Sequence, residues 1–240
     1  MIKRKSISFF TMKFVHYDMK SSKLFVVGMF AVAMAWMEAA TVVYLRTLVN
    51  RINPYQIHPL PVAALPAWIE LVREAATLLL LLSAAWLAGT AWRNRSGYFL
   101  FAFGMWDIFY YVFLKAIIGW PVTLFDWDVL FLLPVPWWGP VLAPVLIALV
   151  MILGGILLSR NSANRIDHHP HKFSWLLCAA GIFALLYLFM RGSLMVLSKG
   201  KEAVENILPT DFSWIFFAAA LCLMAFPIFD TVFRSIKRRS

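Results

Sequence analysis

Six apolar segments, at roughly residues 24–49, 66–92, 97–118, 140–159, 173–191 and 212–234, decide what this chain can be. Each is close to the ~20 residues that cross a bilayer core. Lipid offers a backbone no hydrogen-bond partners, so an open apolar segment crossing it must be a helix. Composition agrees, with 62% of the 240 residues hydrophobic and 14% charged. That is more apolar surface than a soluble domain of this size can hide. The expected fold class is all-α: a polytopic integral membrane protein of about six transmembrane helices.

The net charge of +10 is mainly a topology signal. With the N-terminus inside, fifteen of the 22 lysines and arginines fall on the inner side, among them Lys3, Arg4, Lys5, Arg93, Arg95 and Arg234 to Arg239. Seven fall outside: Arg46, Arg51, Arg73, Lys115, Arg191, Lys199 and Lys201. That asymmetry puts both termini in the cytoplasm and suits contact with anionic lipid headgroups. No basic stretch interleaved with exposed aromatics lies outside the apolar segments, which sets nucleic acid aside. Residues 1–23 read as a basic interfacial lead-in rather than a signal peptide, because Lys13, Asp18 and Lys20 break the apolar run. Residues 24–240 form a single membrane domain. Cys178 and Cys222 both sit in apolar segments and read as small buried hydrophobes.

Among the connections, residues 119–139, "GWPVTLFDWDVLFLLPVPWWG", are apolar, aromatic and acidic at once. Their prolines and glycines forbid one continuous helix. The segment reads as a re-entrant or interfacial hairpin that packs on protein or lines a cavity, with Trp120, Trp127, Trp137 and Trp138 in an aromatic belt. Residues 200–211 suggest a short amphipathic helix, with Thr210 or Asp211 capping the sixth membrane helix. The tetrapeptide "EAAT" occurs at 38–41 and 74–77, and its alanines would let the first two helices approach closely.

The stretch "GMWDIFYYVFLK", residues 104–115, carries an acid, two phenols and an amine through an oily helix. A charge at the bilayer centre costs at least ~2.5 kcal/mol, so such groups face protein or a cavity. Counting from the outer helix ends at ~1.5 Å per residue puts Glu38 and Asp107 ~18 Å deep and Glu74 ~12 Å deep. Arg46, Arg73 and Lys115 lie in the same half, and Tyr111 follows Asp107 by one helical turn. Asp126 and Asp128 sit where they would close the cluster from outside. The candidate ligand-binding set is therefore Glu38, Arg46, Arg73, Glu74, Asp107, Tyr111, Lys115, Asp126 and Asp128. The alternative is that these acids pair with Arg46, Arg73 and Lys115 simply to lock the bundle. Asp230, near the inner end of the sixth segment, has Arg234 one turn on as a partner.

His168, His169 and His171 beside Asp167 are the one histidine cluster. Their spacing matches no standard metal site, and a solvated loop is the plainer reading. No histidine lies in a membrane segment, which argues against haem in the bundle. No cofactor is expected; a hard cation on Glu38, Glu74 and Asp107 is open but short of oxygens. No phosphate-binding, dinucleotide, serine-hydrolase or metalloprotease motif is present.

"WDIFYYVFLKAIIGWP" and "DVLFLLPVPWWGPVLAP", with "MEAATVVYLR" and "REAATLLLLL", resemble a family of uncharacterised bacterial polytopic membrane proteins over about residues 36–145. The resemblance implies a bacterial inner membrane and carries no activity. The function expected from the residues is an outward-facing polar pocket for a lipid headgroup, small solute or cation, in binding or transport. One alternative is a non-catalytic subunit or assembly factor partnered by other membrane subunits or by itself. A second is a membrane-embedded enzyme using Asp107 and Tyr111.

Overall fold

The computed structural model describes residues 4–48, 53–55, 67–132, 134–160, 170–200, 203–204 and 207–237. Six helices dominate: α1 Arg4–Leu48, α2 Ala67–Ala88, α3 Trp92–Ile118, α4 Leu142–Arg160, α5 Lys172–Val196 and α6 Trp214–Lys237. All six are long and apolar enough to cross a membrane, so the chain is an all-α, multi-pass membrane protein. No proline interrupts α1, which continues the lead-in as helix; its span runs Ser22–Leu48. Large side chains such as Leu87, Phe183 and Ile215 face outward, as lipid contact requires.

The central element is α3, which packs on α1, α2 and α4. Small residues bring α3 and α4 together. A Cβ on Gly155 would lie 2.6 Å from both the Gly97 carbonyl oxygen and the Phe101 amide nitrogen; one on Gly104 would lie 2.6 Å from the Ala148 carbonyl. Neither seam position accepts a side chain without moving a helix. On the other flank α5 packs on α6, and this pair meets the rest through α4 and the hairpin described next. Leu185, Phe189, Phe217 and Ala220 form its core with Ala143 of α4.

Between α3 and α4 the chain forms two short antiparallel strands, β1 Trp127–Val129 and β2 Trp138–Pro140, with Asp128 opposite Gly139. The ladder continues through Leu130 N–H to the Trp137 carbonyl (2.8 Å) and Trp137 N–H to the Phe131 carbonyl (2.8 Å). An apolar non-helical segment thus satisfies its own backbone, the condition for lying against a membrane bundle. Gly119 ends α3 in the left-handed conformation (φ 72°), returning its N–H to the Lys115 carbonyl at 3.1 Å. Trp120 and Trp138 are 3% and 2% exposed, so these two rings are interior packing rather than a belt at the interface.

Three other expectations change. First, α3 starts at Trp92, five residues before the expected 97, because Asn94 Oδ1 accepts the Thr90 and Ala91 amides (3.1 and 3.0 Å) and reverses the chain just after α2. Second, Asp211 does not cap the last helix: it pairs with Arg191, and the Phe217 N–H goes to the Ser213 carbonyl at 2.9 Å. Third, the alanines of "EAAT" do not form an α1–α2 seam. Ala39 is buried with Tyr111, Leu114 and Val141, whereas Ala75 and Ala76 are exposed. The expected helix in 200–211 lies partly outside the described residues, and 207–213 is not helical. Asp230 meets Arg234 as expected (2.7 Å) and also accepts the His171 amide (2.9 Å) and the Ser174 hydroxyl (2.7 Å), holding the start of α5.

Candidate functional site

At the end of the bundle nearer the hairpin, α1, α2, α3 and β1 bring their polar side chains into one cluster. Glu38 is 9% exposed on α1. It forms an ion pair with Arg73 of α2 and accepts the Thr77 hydroxyl at 3.1 Å. Arg73 also donates to Glu70, one turn earlier, at 2.8 Å. The two "EAAT" copies therefore meet through polar atoms: the glutamate of one takes the threonine of the other.

Two turns further along α1, Arg46 reaches Asp128 of β1 at 3.0 Å. Asp128 is 1% exposed, and its second oxygen accepts the Tyr111 hydroxyl at 3.2 Å. The Arg46 guanidinium lies 4.3 Å from the centroid of the Trp120 ring. A buried carboxylate needs this much company. Burial pushes the Asp128 carboxyl above its usual range, and Arg46, the Tyr111 hydroxyl and the Val129 amide pull it back. An aromatic ladder runs beside the pair: Trp106 stacks on Tyr110, Tyr110 meets Tyr111 edge-on, and Tyr111 leans on Trp120.

Seven of the nine candidate residues line one cavity of about 1260 Å³: Glu38, Arg46, Arg73, Glu74, Asp107, Tyr111 and Asp128. The other two do not. Lys115 turns back to the Gly119 and Val122 carbonyls (3.1 and 3.3 Å) at the end of α3. Asp126 organises the turn before β1, accepting the Val122 amide and the Thr123 hydroxyl, both at 2.7 Å. Asp107 and Tyr111 share a helix face, yet the phenol donates to Asp128 rather than to Asp107. Asp107 accepts no hydrogen bond and makes no ion pair among the described residues. Glu74 forms no ion pair among them either, and the Arg73 charge and the Leu132 backbone amide both act on its carboxylate.

The cavity differs from the expected pocket in extent. Beyond the polar cluster it continues as an apolar cleft between α3 and α4 on one side and α5 and α6 on the other. Along α4 it is lined from Pro144 to Leu158, ~21 Å at ~1.5 Å per residue. Ile182 and Ile228 line it from α5 and α6, and Arg93 and Trp175 lie toward the far end. Tyr110, Trp106 and Thr77 join the polar end and were not expected there. Trp106 and Tyr110 are one helical turn apart, the spacing that stacks two rings on one face; Thr77 is hidden among alanines and leucines.

Among the described residues no group of three or more histidine, cysteine, aspartate or glutamate side chains is placed to hold a metal ion. His168 and His169 lie outside the described residues, and His171 precedes α5. No family model, curated protein or solved structure matches this chain, so the site is read from its own residues.

Proposed function

We propose that this membrane protein binds an amphiphile, holding its head in the polar cluster and its tail in the apolar cleft. One observation carries the reading: a single cavity joins seven charged or hydroxyl-bearing candidates to a long apolar continuation. Its volume of about 1260 Å³ exceeds the ~300–1,000 Å³ of most small-molecule sites. Its ~21 Å run along α4 exceeds the ~15 Å of one bilayer leaflet's hydrocarbon. Both favour a lipid over a small solute or a bare cation. The excess of lysine and arginine at the other end supports a hairpin facing outward and termini in the cytoplasm, and the resemblance to bacterial proteins supports an inner membrane. The role is binding or presentation of the lipid.

The test is native mass spectrometry of protein released gently from its membrane, with and without Met151→Trp, which places a large ring inside the cleft. Bound lipid in the parent, lost in the variant while thermal unfolding is retained, is the expected result. Equal lipid occupancy in both, or a parent free of lipid, overturns the reading. Recovery of a stoichiometric protein partner with no lipid would make the chain a subunit whose membrane acids are structural.

A further inference from the structure

We infer that the cleft is filled from the side: a lipid of the surrounding bilayer enters through a gap between α2 and α5, beneath the hairpin. The inference rests on the amphiphile reading and names the ligand's source and route.

Packing locates the gap. α2 packs on α1 and α3, and α5 on α6 and β2; α2 and α5 line opposite walls of the cavity without packing on one another. The other edge of the cleft is shut, because α6 packs on α4 and a Cβ on Gly154 would lie 3.3 Å from Ile228. One end is roofed by the hairpin. The Pro136 carbonyl accepts the Ser193 hydroxyl of α5 at 2.7 Å, Gly139 lies against the Phe189 ring, and the Leu132 amide acts on the Glu74 carboxylate of α2. Among the described residues the hairpin thus bridges α5 to α2 at that end, and nothing bridges them below it. A ligand arriving from the hairpin side would have to cross the β1–β2 ladder and the Arg46–Asp128 pair.

Exposure along α5 is a second, independent observation. Of the residues that line the cavity, Leu185 and Phe189, nearer the hairpin, are 4% and 5% exposed, whereas Ile182 and Trp175, farther from it, are 42% and 49% exposed. A side chain that faces a cavity and is also open to the outside stands at its mouth. Leu78 of α2, half-buried, lines the opposite wall. Leu78 lies ten residues from the end of α2 at Ala88, and Ile182 ten residues from the start of α5 at Lys172. Both therefore sit ~15 Å from the helix ends that point away from the hairpin. Both helices are long and apolar enough to cross the membrane, so the medium at that depth is hydrocarbon. Apolar walls standing apart forfeit dispersion contacts, and an apolar cleft recruits no water. An acyl chain supplies the missing contacts. Glu74 lines the same wall one turn closer to the hairpin than Leu78. A head can stay against the polar groups of α2 while its tail slips sideways into the cleft.

The experiment places the full chain in vesicles of phosphatidylcholine and phosphatidylglycerol, doped with a phosphatidylcholine whose tail ends in a diazirine. Light crosslinks the tail to what it touches, and peptide mass spectrometry maps the adducts. The expected result is labelling of Met151 and Ile228 inside the cleft, reduced several-fold by Ile182→Trp, which enlarges an exposed residue at the mouth, and by Leu78→Trp from the opposite wall. Phe183→Trp, at an exposed position of α5 that does not line the cavity, leaves that labelling unchanged. Interior labelling that is equal in the parent and both mouth variants, or that Phe183→Trp lowers as much, overturns the side route and leaves the amphiphile reading standing. So does a parent that native mass spectrometry shows carrying lipid but whose interior takes no label, since that lipid is not drawn from the bilayer. No interior label and no bound lipid overturns both.

Discussion

Asp128→Asn is the sharpest test of how the hairpin is held. Asp128 is 1% exposed, and its Arg46 partner has a side chain 13% exposed, so neither is rehydrated when the other is neutralised. Removing one partner of a buried pair costs ~3–5 kcal/mol, mostly because the remaining charge is stranded. Two features reduce that here. The asparagine can still accept from Tyr111, and the Arg46 guanidinium keeps the Trp120 face, worth ~0.5–2 kcal/mol. The net expectation is a loss of about 2–4 kcal/mol. Reversible unfolding in mixed micelles, followed by tryptophan fluorescence, reads it directly. The companion variant Arg46→Met removes the stranded charge. Arg46→Met/Asp128→Asn should therefore be less destabilised than the sum of its singles by ~1–3 kcal/mol. If the singles add, or Asp128→Asn lies within ~0.5 kcal/mol of the parent, the pair does not anchor the hairpin.

Other outcomes follow from the same geometry. Gly155→Leu forces α3 from α4 and should cost ~1–3 kcal/mol or prevent folding, whereas the same change at the exposed Ala76 should be nearly silent; relative thermal stability of the two separates them. Asp230→Asn weakens both the Ser174 hydroxyl bond and the Arg234 pair, for an expected loss of ~1–2 kcal/mol and faster amide exchange in the first turn of α5. Arg73→Met leaves Glu38 with Thr77 alone, and Glu38→Gln should recover part of the lost unfolding free energy in the double variant. Lys115→Met should leave lipid occupancy unchanged, because Lys115 bonds carbonyls outside the cavity.

The six spans were legible because crossing a bilayer imposes one length and one solvent on every segment. Glu38, Asp107 and Glu74 stood out for a related reason: acids in apolar segments are rare enough to count. Pairing was not. Arg73 reaches across to Glu38 and Arg46 to Asp128, choices set by helix rotation and by a β-hairpin whose register no periodicity announces. Lys115 shares a helix with Asp107, but its reach ends at the carbonyls freed where α3 stops. The apolar cleft escaped notice because its lining residues, such as Met151 and Ile228, look like lipid-facing ones in a linear string.

The turn at Gly89 to Ala91 makes α2 a lever. Its pivot is pinned to α3 by the Asn94 carboxamide and the Arg95 guanidinium, and Lys23 of α1 donates to the Ala88 carbonyl beside it. Arg73 lies fifteen residues away along that arm, ~22 Å at ~1.5 Å per residue. A change in tilt of about 5° would carry it ~2 Å, enough to separate Arg73 from Glu38. Helices answer a thicker or thinner bilayer by tilting. The Arg73–Glu38 contact thus lies on the long arm of that lever, where a small tilt of α2 has its largest effect, on the wall of the same cavity that holds the polar cluster.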